Sequence, residues 1–135
     1  MSERVADLRH DLRVMGLVGS AHASSHFFHL ILPPLFPILK QDFDVSFAAL
    51  GVLPTLFYGA SGIAQTIAGF LVDRFGARRV LLLGLTLLSL SVIGYSFCFS
   101  FWGLMFFSIT AGLGNSVFHP ADLSILTNKI STERL

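Results

Sequence analysis

Residues 80–121 read VLLLGLTLLSLSVIGYSFCFSFWGLMFFSITAGLGNSVFHPA, and none of these 42 positions is Asp, Glu, Lys or Arg. A single helix of that length, rising about 1.5 Å per residue, would be roughly 63 Å long, twice the ~30 Å hydrocarbon core of a bilayer. The stretch therefore predicts two membrane crossings, 80–97 and 101–126. The turn falls over residues 96–100, with Ser100 as N-cap of the second helix. A strand of a membrane barrel would alternate apolar and polar side chains. Leu81-Leu82-Leu83 and Phe106-Phe107 do not.

Two more uncharged runs precede this one, at 14–39 and 45–72. Each is long enough to cross a bilayer with tilt or overhang. The expected architecture is all-α, with polytopic membrane helices at 14–39, 46–72, 80–97 and 101–126. A tail (1–13), a loop (73–79) and an end segment (127–135) flank them. Only 13% of the 135 residues are charged and 53% are hydrophobic. That is about half the charged share of a soluble domain, too little to cover a soluble surface. The first run is too long for a signal-peptide core, and the tail carries Glu3, Asp7 and Asp11. In that tail Val5, Leu8 and Leu12 outline a short interfacial helix. The one cysteine, Cys98, excludes an internal disulfide and reads as a small apolar residue.

Cationic residues in short loops stay on the cytoplasmic side. With four crossings Arg4, Arg9, Arg13, Arg74, Arg78, Arg79, Lys129 and Arg134 share one side, against Lys40 alone on the other. The N-terminus is expected in the cytoplasm of a cell whose inner membrane holds the chain.

The loop between the second and third crossings packs one acid and three arginines into Gly69-Phe70-Leu71-Val72-Asp73-Arg74-Phe75-Gly76-Ala77-Arg78-Arg79. Gly76 permits the positive φ of a tight reversal. Asp73 can pair with an arginine or accept from a helix N-terminus. By spacing alone the loop could simply orient the chain. The pattern resembles the signature loop of the major facilitator superfamily, Gly-x-x-x-Asp-Arg-x-Gly-Arg-Arg, on Gly69, Asp73, Arg74, Gly76 and Arg78. Ala77 stands at the first arginine place, and Arg79 follows as a substitute. The resemblance implies the first four spans of a helical-bundle transporter, with this loop closing the cytoplasmic side as a conformational switch. A second stretch, Gly112-Leu113-Gly114-Asn115-Ser116-Val117-Phe118-His119-Pro120, is similar to the fourth span of fosmidomycin-resistance-type members. Leu32-Pro33-Pro34-Leu35-Phe36-Pro37 fits the same group. These resemblances imply secondary, proton-coupled transport of a small, anionic molecule, with drug efflux and antibiotic resistance among its uses. Drug–proton antiporters of the superfamily carry an arginine four positions before the first glycine of span four. Here that place is Ser108, so the arginine's role is not carried over.

Helical spacing groups the polar residues. Gly19, His22, His26, His29 and Pro33 share one face, and so do Ser108, Gly112, Asn115, His119 and Asp122. Ionisable groups at membrane depth face water or a partner, so the two stripes are expected to wall one cavity. His22, His26, Asn115, His119 and Asp122 are the candidate substrate and proton pathway, with His22 and His119 at similar depth. The competing reading is that these histidines only hydrogen-bond a neighbour and that Asp122 snorkels to the surface. Gly51, Thr55, Gly59, Gly62, Thr66 and Gly69 form a small-residue stripe expected to pack helices. Pro54 and Pro120 each remove a helix hydrogen bond, and Pro33, Pro34 and Pro37 shape the outer end of the first span.

No nucleotide loop, GxSxG or HExxH occurs, and the basic residues make a loop rather than a nucleic-acid stripe. An enzyme, a cofactor, a resident metal and a nucleic-acid partner are not expected. The expected partners are the lipid bilayer, a small solute with protons, and C-terminal helices of the same transporter. Four spans make neither six-helix half, so Glu133-Arg134-Leu135 is read as the approach to a fifth span. Two alternatives stay open: a four-span small multidrug-type transporter acting as a dimer, and a histidine-ligated redox or metal bundle.

Overall fold

The computed structural model of the chain describes residues 2–130, with side chains from Leu8 onward. The side chains of Arg4 and Val5, and Arg134 with the rest of residues 131–135, lie outside that set. Among the described residues seven helices follow one another: α1 (Ser2–His29), α2 (Phe36–Asp42), α3 (Phe47–Leu50), α4 (Val52–Phe75), α5 (Ala77–Tyr95), α6 (Phe101–Asn115) and α7 (Phe118–Lys129). A 3-10 turn, Pro33–Leu35, precedes α2. No strand occurs among the described residues. Three helical stretches, Phe47–Phe75, Ala77–Tyr95 and Phe101–Lys129, are long and apolar enough to cross a membrane.

The first apolar run behaves differently. α1 takes in the charged tail and ends at His29, so the run 14–39 is broken rather than continuous. The cause is local: Pro33 has no N–H for the His29 carbonyl, and Pro34 none for the Leu30 carbonyl. Tighter turns take over, with Leu30 N donating to Phe27 O at 3.2 Å and Leu35 N to Leu32 O at 2.9 Å. A second break separates α6 from α7. Pro120 cannot reach back to the Ser116 carbonyl, and Ser116 N is shared between the carbonyls of Gly112 (3.1 Å) and Leu113 (3.3 Å).

The reversal between α4 and α5 is built from a single residue. Gly76 alone joins α4 to α5, with φ 88° and ψ 136° and its N–H on the Val72 carbonyl at 2.9 Å. Side chains rarely adopt that conformation, and the strain is about 1–3 kcal/mol. Gly76→Val is therefore expected to lower the thermal unfolding midpoint of the detergent-solubilised protein, read by dye-free thermal unfolding. An unchanged midpoint would mean the reversal has another conformation. Ser100 caps α6, its Oγ accepting from Gly103 N at 3.4 Å. Ser46 does the same for α3 at Ala49 N.

α6 lies between α4 and α5, while α7 packs on α1, α5 and α4. Phe57, Leu88, Ala111, Phe118 and Ala121 form the main core; Leu50, Leu53 and Leu104 form a second. In lipid, such packing rests on close approach more than on the hydrophobic effect. α5 and α6 approach closely at Gly84 and Gly114. A Cβ on Gly84 would sit 2.7 Å from the Gly114 carbonyl oxygen, and one on Gly114 would sit 2.8 Å from that of Gly84. Gly112 likewise lies under the Phe57 carbonyl and Ala60 of α4. The stripe read on α4 is not the surface used within the chain. Gly59, Gly62 and Gly69 have open space around them, and Gly51 meets only its own local backbone. α4 turns Leu53, Phe57, Ser61, Ala68 and Val72 inward instead.

Candidate functional site

Both polar stripes meet where α1 crosses α7. His22 Nδ1 lies 2.7 Å from Asp122 Oδ2, the one ion pair among the described residues. Asp122 is buried while His22 is part-exposed. With the imidazole neutral, Nδ1–H donates to the carboxylate and leaves the Nε2 lone pair free. That nitrogen is 3.0 Å from His26 Nε2, one turn further along α1. The His119 ring, from α7, stands edge-on to His22 with centroids 5.3 Å apart. The other carboxylate oxygen, Asp122 Oδ1, is buried and has no hydrogen-bond partner among the described residues. These four side chains border an open cavity of about 590 Å³, whose remaining wall is apolar and includes Met15, Val18 and Leu126. The stripes thus touch directly, and the cavity opens beside the contact.

Asn115 belongs to a second cluster. Its Oδ1 accepts from Ser25 Oγ at 2.9 Å and from His29 Nε2 at 2.8 Å. Its Nδ2 donates to Ser61 Oγ at 2.9 Å. One amide at the end of α6 therefore ties α1 and α4 together, with three of its hydrogen-bonding places filled. His29 is further held edge-on against Phe57 (4.7 Å) and Tyr58 (5.6 Å). The His26 and His29 rings stand 5.2 Å apart, which links the clusters in space. Ser25 and Ser61 are absent from the sequence-derived set. Ser25 could have been found, since it lies on the face of His22 and His29. Ser61 carries no signal, because serine is ordinary in an apolar helix.

The signature loop sits at the far end of α4. Asp73, Arg78 and Arg79 border a groove of about 510 Å³ with Ser124, Asn128 and Lys129 of α7. Gly69 precedes the loop on an open face of α4. Arg74 lies over the Phe75 ring, 5.7 Å from its centroid. Asp73 makes no ion pair among the described residues, so its charge is available to a group from elsewhere. Cys98 lies in the turn outside the spans, and burial pushes its thiol pKa up, away from the reactive thiolate.

The family profile described as Major Facilitator Superfamily matches residues 18–135. The "Uncharacterized MFS-type transporter YfnC" of Bacillus subtilis is 26% identical over 121 residues, covering 90% of this chain and 30% of that protein. "Uncharacterized MFS-type transporter YwoD" of the same organism is 33% identical over 92 residues, covering 68% of this chain and 20% of that protein. The "Fosmidomycin resistance protein" of Escherichia coli is 22% identical over 107 residues, 79% of this chain and 26% of that protein. The chain thus spans a fifth to a third of the length of these relatives. No solved structure matches it. A helical bundle with membrane-length apolar helices, a signature loop between two of them and a family profile over most of the chain agree: this chain belongs to the major facilitator superfamily of multi-pass membrane transporters.

Proposed function

We propose that the chain forms the first four spans of a proton-coupled secondary transporter in the inner cell membrane, its N-terminus cytoplasmic. The observation that carries this reading is the His22–Asp122 pair, a carboxylate and an imidazole joined across two helices at a cavity. Such a pair can hold or release one proton, and doing so makes or breaks the contact between α1 and α7. His26 and His119 extend the path for the proton or the solute, and Asn115 fixes the helices that carry it. Likeness to the Escherichia coli "Fosmidomycin resistance protein" supports a fosmidomycin-type solute.

In this reading Asp73, Arg74, Arg78 and Arg79 form a switch that pairs with helices of the other half, and the open glycines of α4 slide against that half. In the intact transporter Asp73→Asn is expected to lower export at least about tenfold, the worth of one charge-assisted hydrogen bond of roughly 1.5–3 kcal/mol. Protein level should stay normal, because Asp73 holds nothing together among the described residues. The test is growth of a fosmidomycin-sensitive strain expressing the intact transporter. Wild type should raise the tolerated dose and Asp73→Asn should not. No protection by well-expressed wild type would remove the solute assignment.

A further inference from the structure

We propose that His22 and His26 form a two-nitrogen pincer for a divalent transition-metal ion of the zinc class, with Asp122 as the carboxylate that orients it. The geometry is independent of the proton-coupling reading. Two imidazole nitrogens bound at about 2.0–2.1 Å to a tetrahedral ion lie roughly 3.3–3.4 Å apart. The Nε2 atoms of His22 and His26 are 3.0 Å apart already, so a few tenths of an ångström of ring motion seats the ion. Their spacing of four residues on α1 puts both on one helical face, the arrangement by which helices present paired histidines to zinc.

The carboxylate supplies what an isolated pair lacks. Asp122 Oδ2 receives Nδ1–H of His22 at 2.7 Å, which fixes the tautomer with the lone pair on Nε2. Ligating histidines almost always donate their other N–H in this way, and the contact raises ligand basicity. The second oxygen of Asp122 is buried and unpartnered, so His22 is the carboxylate's one hydrogen-bond partner among the described residues. Among the described residues no three His, Cys, Asp or Glu side chains are set as a closed metal cage. The pincer is thus an open site, its remaining positions filled by water or by the donor atoms of a bound solute. Access comes from the cavity of about 590 Å³ that both rings border. On binding, the ion replaces the proton shared between the two Nε2 atoms. In the neutral pair that proton moves to His26 Nδ1, while Nδ1–H of His22 stays on Asp122.

The test uses the intact transporter in detergent, purified by a tag without histidine, and Co²⁺ as the probe, with Zn²⁺ as competitor. Wild type should bind one Co²⁺ per chain with the visible absorption of nitrogen-ligated cobalt, bleached by Zn²⁺. His26→Ala should abolish that absorption. His26 is exposed and bonds only within α1, so this variant keeps the fold. Asp122→Asn should weaken binding about 10–100-fold, the usual loss of an orienting carboxylate. Folded wild type without cobalt absorption, or His26→Ala binding as wild type does, would overturn the site. Equal affinity in Asp122→Asn would overturn the part given to the carboxylate.

Discussion

Gly114→Leu is expected to abolish the folded protein, whereas Gly62→Leu is expected to leave it intact. A Cβ at Gly114 would lie 2.6 Å from Leu88 N and 2.8 Å from the Gly84 carbonyl oxygen, both backbone atoms of α5. No rotamer change relieves a clash with backbone, so α5 and α6 must separate along the contact that builds the bundle. Overpacking costs about 1–3 kcal/mol where side chains can yield, and a branched side chain against backbone lies at or beyond the upper end. At Gly62 nothing stands within 4 Å of the added carbon. Size-exclusion chromatography of detergent-solubilised protein reads the outcome directly. A monodisperse peak for Gly114→Leu at wild-type yield would show that α5 and α6 do not touch here. Gly62→Leu should keep that peak yet block transport if the open face of α4 slides against another helix.

The second large effect is expected from Asn115→Leu. Leucine is close in size but removes both hydrogen-bonding arms, leaving the Ser25 and Ser61 hydroxyls and the His29 N–H without the amide. Each orphaned buried group costs about 1–3 kcal/mol, so the sum is several kcal/mol. Polar contacts between membrane helices average somewhat less than this, because the unfolded reference also finds partners. The thermal midpoint should fall clearly below that of Ser25→Ala, which removes one arm only. Equal midpoints for the two variants would mean that the amide is not the hub.

Much of this arrangement could be read from the residues. Charge-free runs locate the apolar helices because a bilayer punishes charge at every face of a span. The positive φ of Gly76 and the cap at Ser100 are local properties, written in a few neighbouring residues. The polar stripes on α1 and on α6 with α7 stand out against an apolar background, and the structure has them in contact at His22–Asp122 and His29–Asn115. What could not be read is rotation and pairing. In lipid every face of a helix is apolar, so composition does not tell which glycines meet a neighbour. Gly62 and Gly114 look alike in sequence, yet one is open and the other lies against α5. Ser61 becomes part of the site only because Asn115 arrives from a helix 54 residues later. The break after His29 depended on whether the prolines would bend the helix or end it, and here they end it.

The proposed proton coupling depends on the contact between His22 and Asp122. Its most direct test is proton movement in inside-out vesicles containing the intact transporter, followed with a pH-sensitive dye after addition of fosmidomycin. Wild type should release protons from the acidified lumen as the drug enters, while Asp122→Asn and His22→Ala, present at normal levels, should release none. His119→Ala should retain the flux with a shifted pH dependence. Wild-type proton release in both Asp122→Asn and His22→Ala would contradict the assignment.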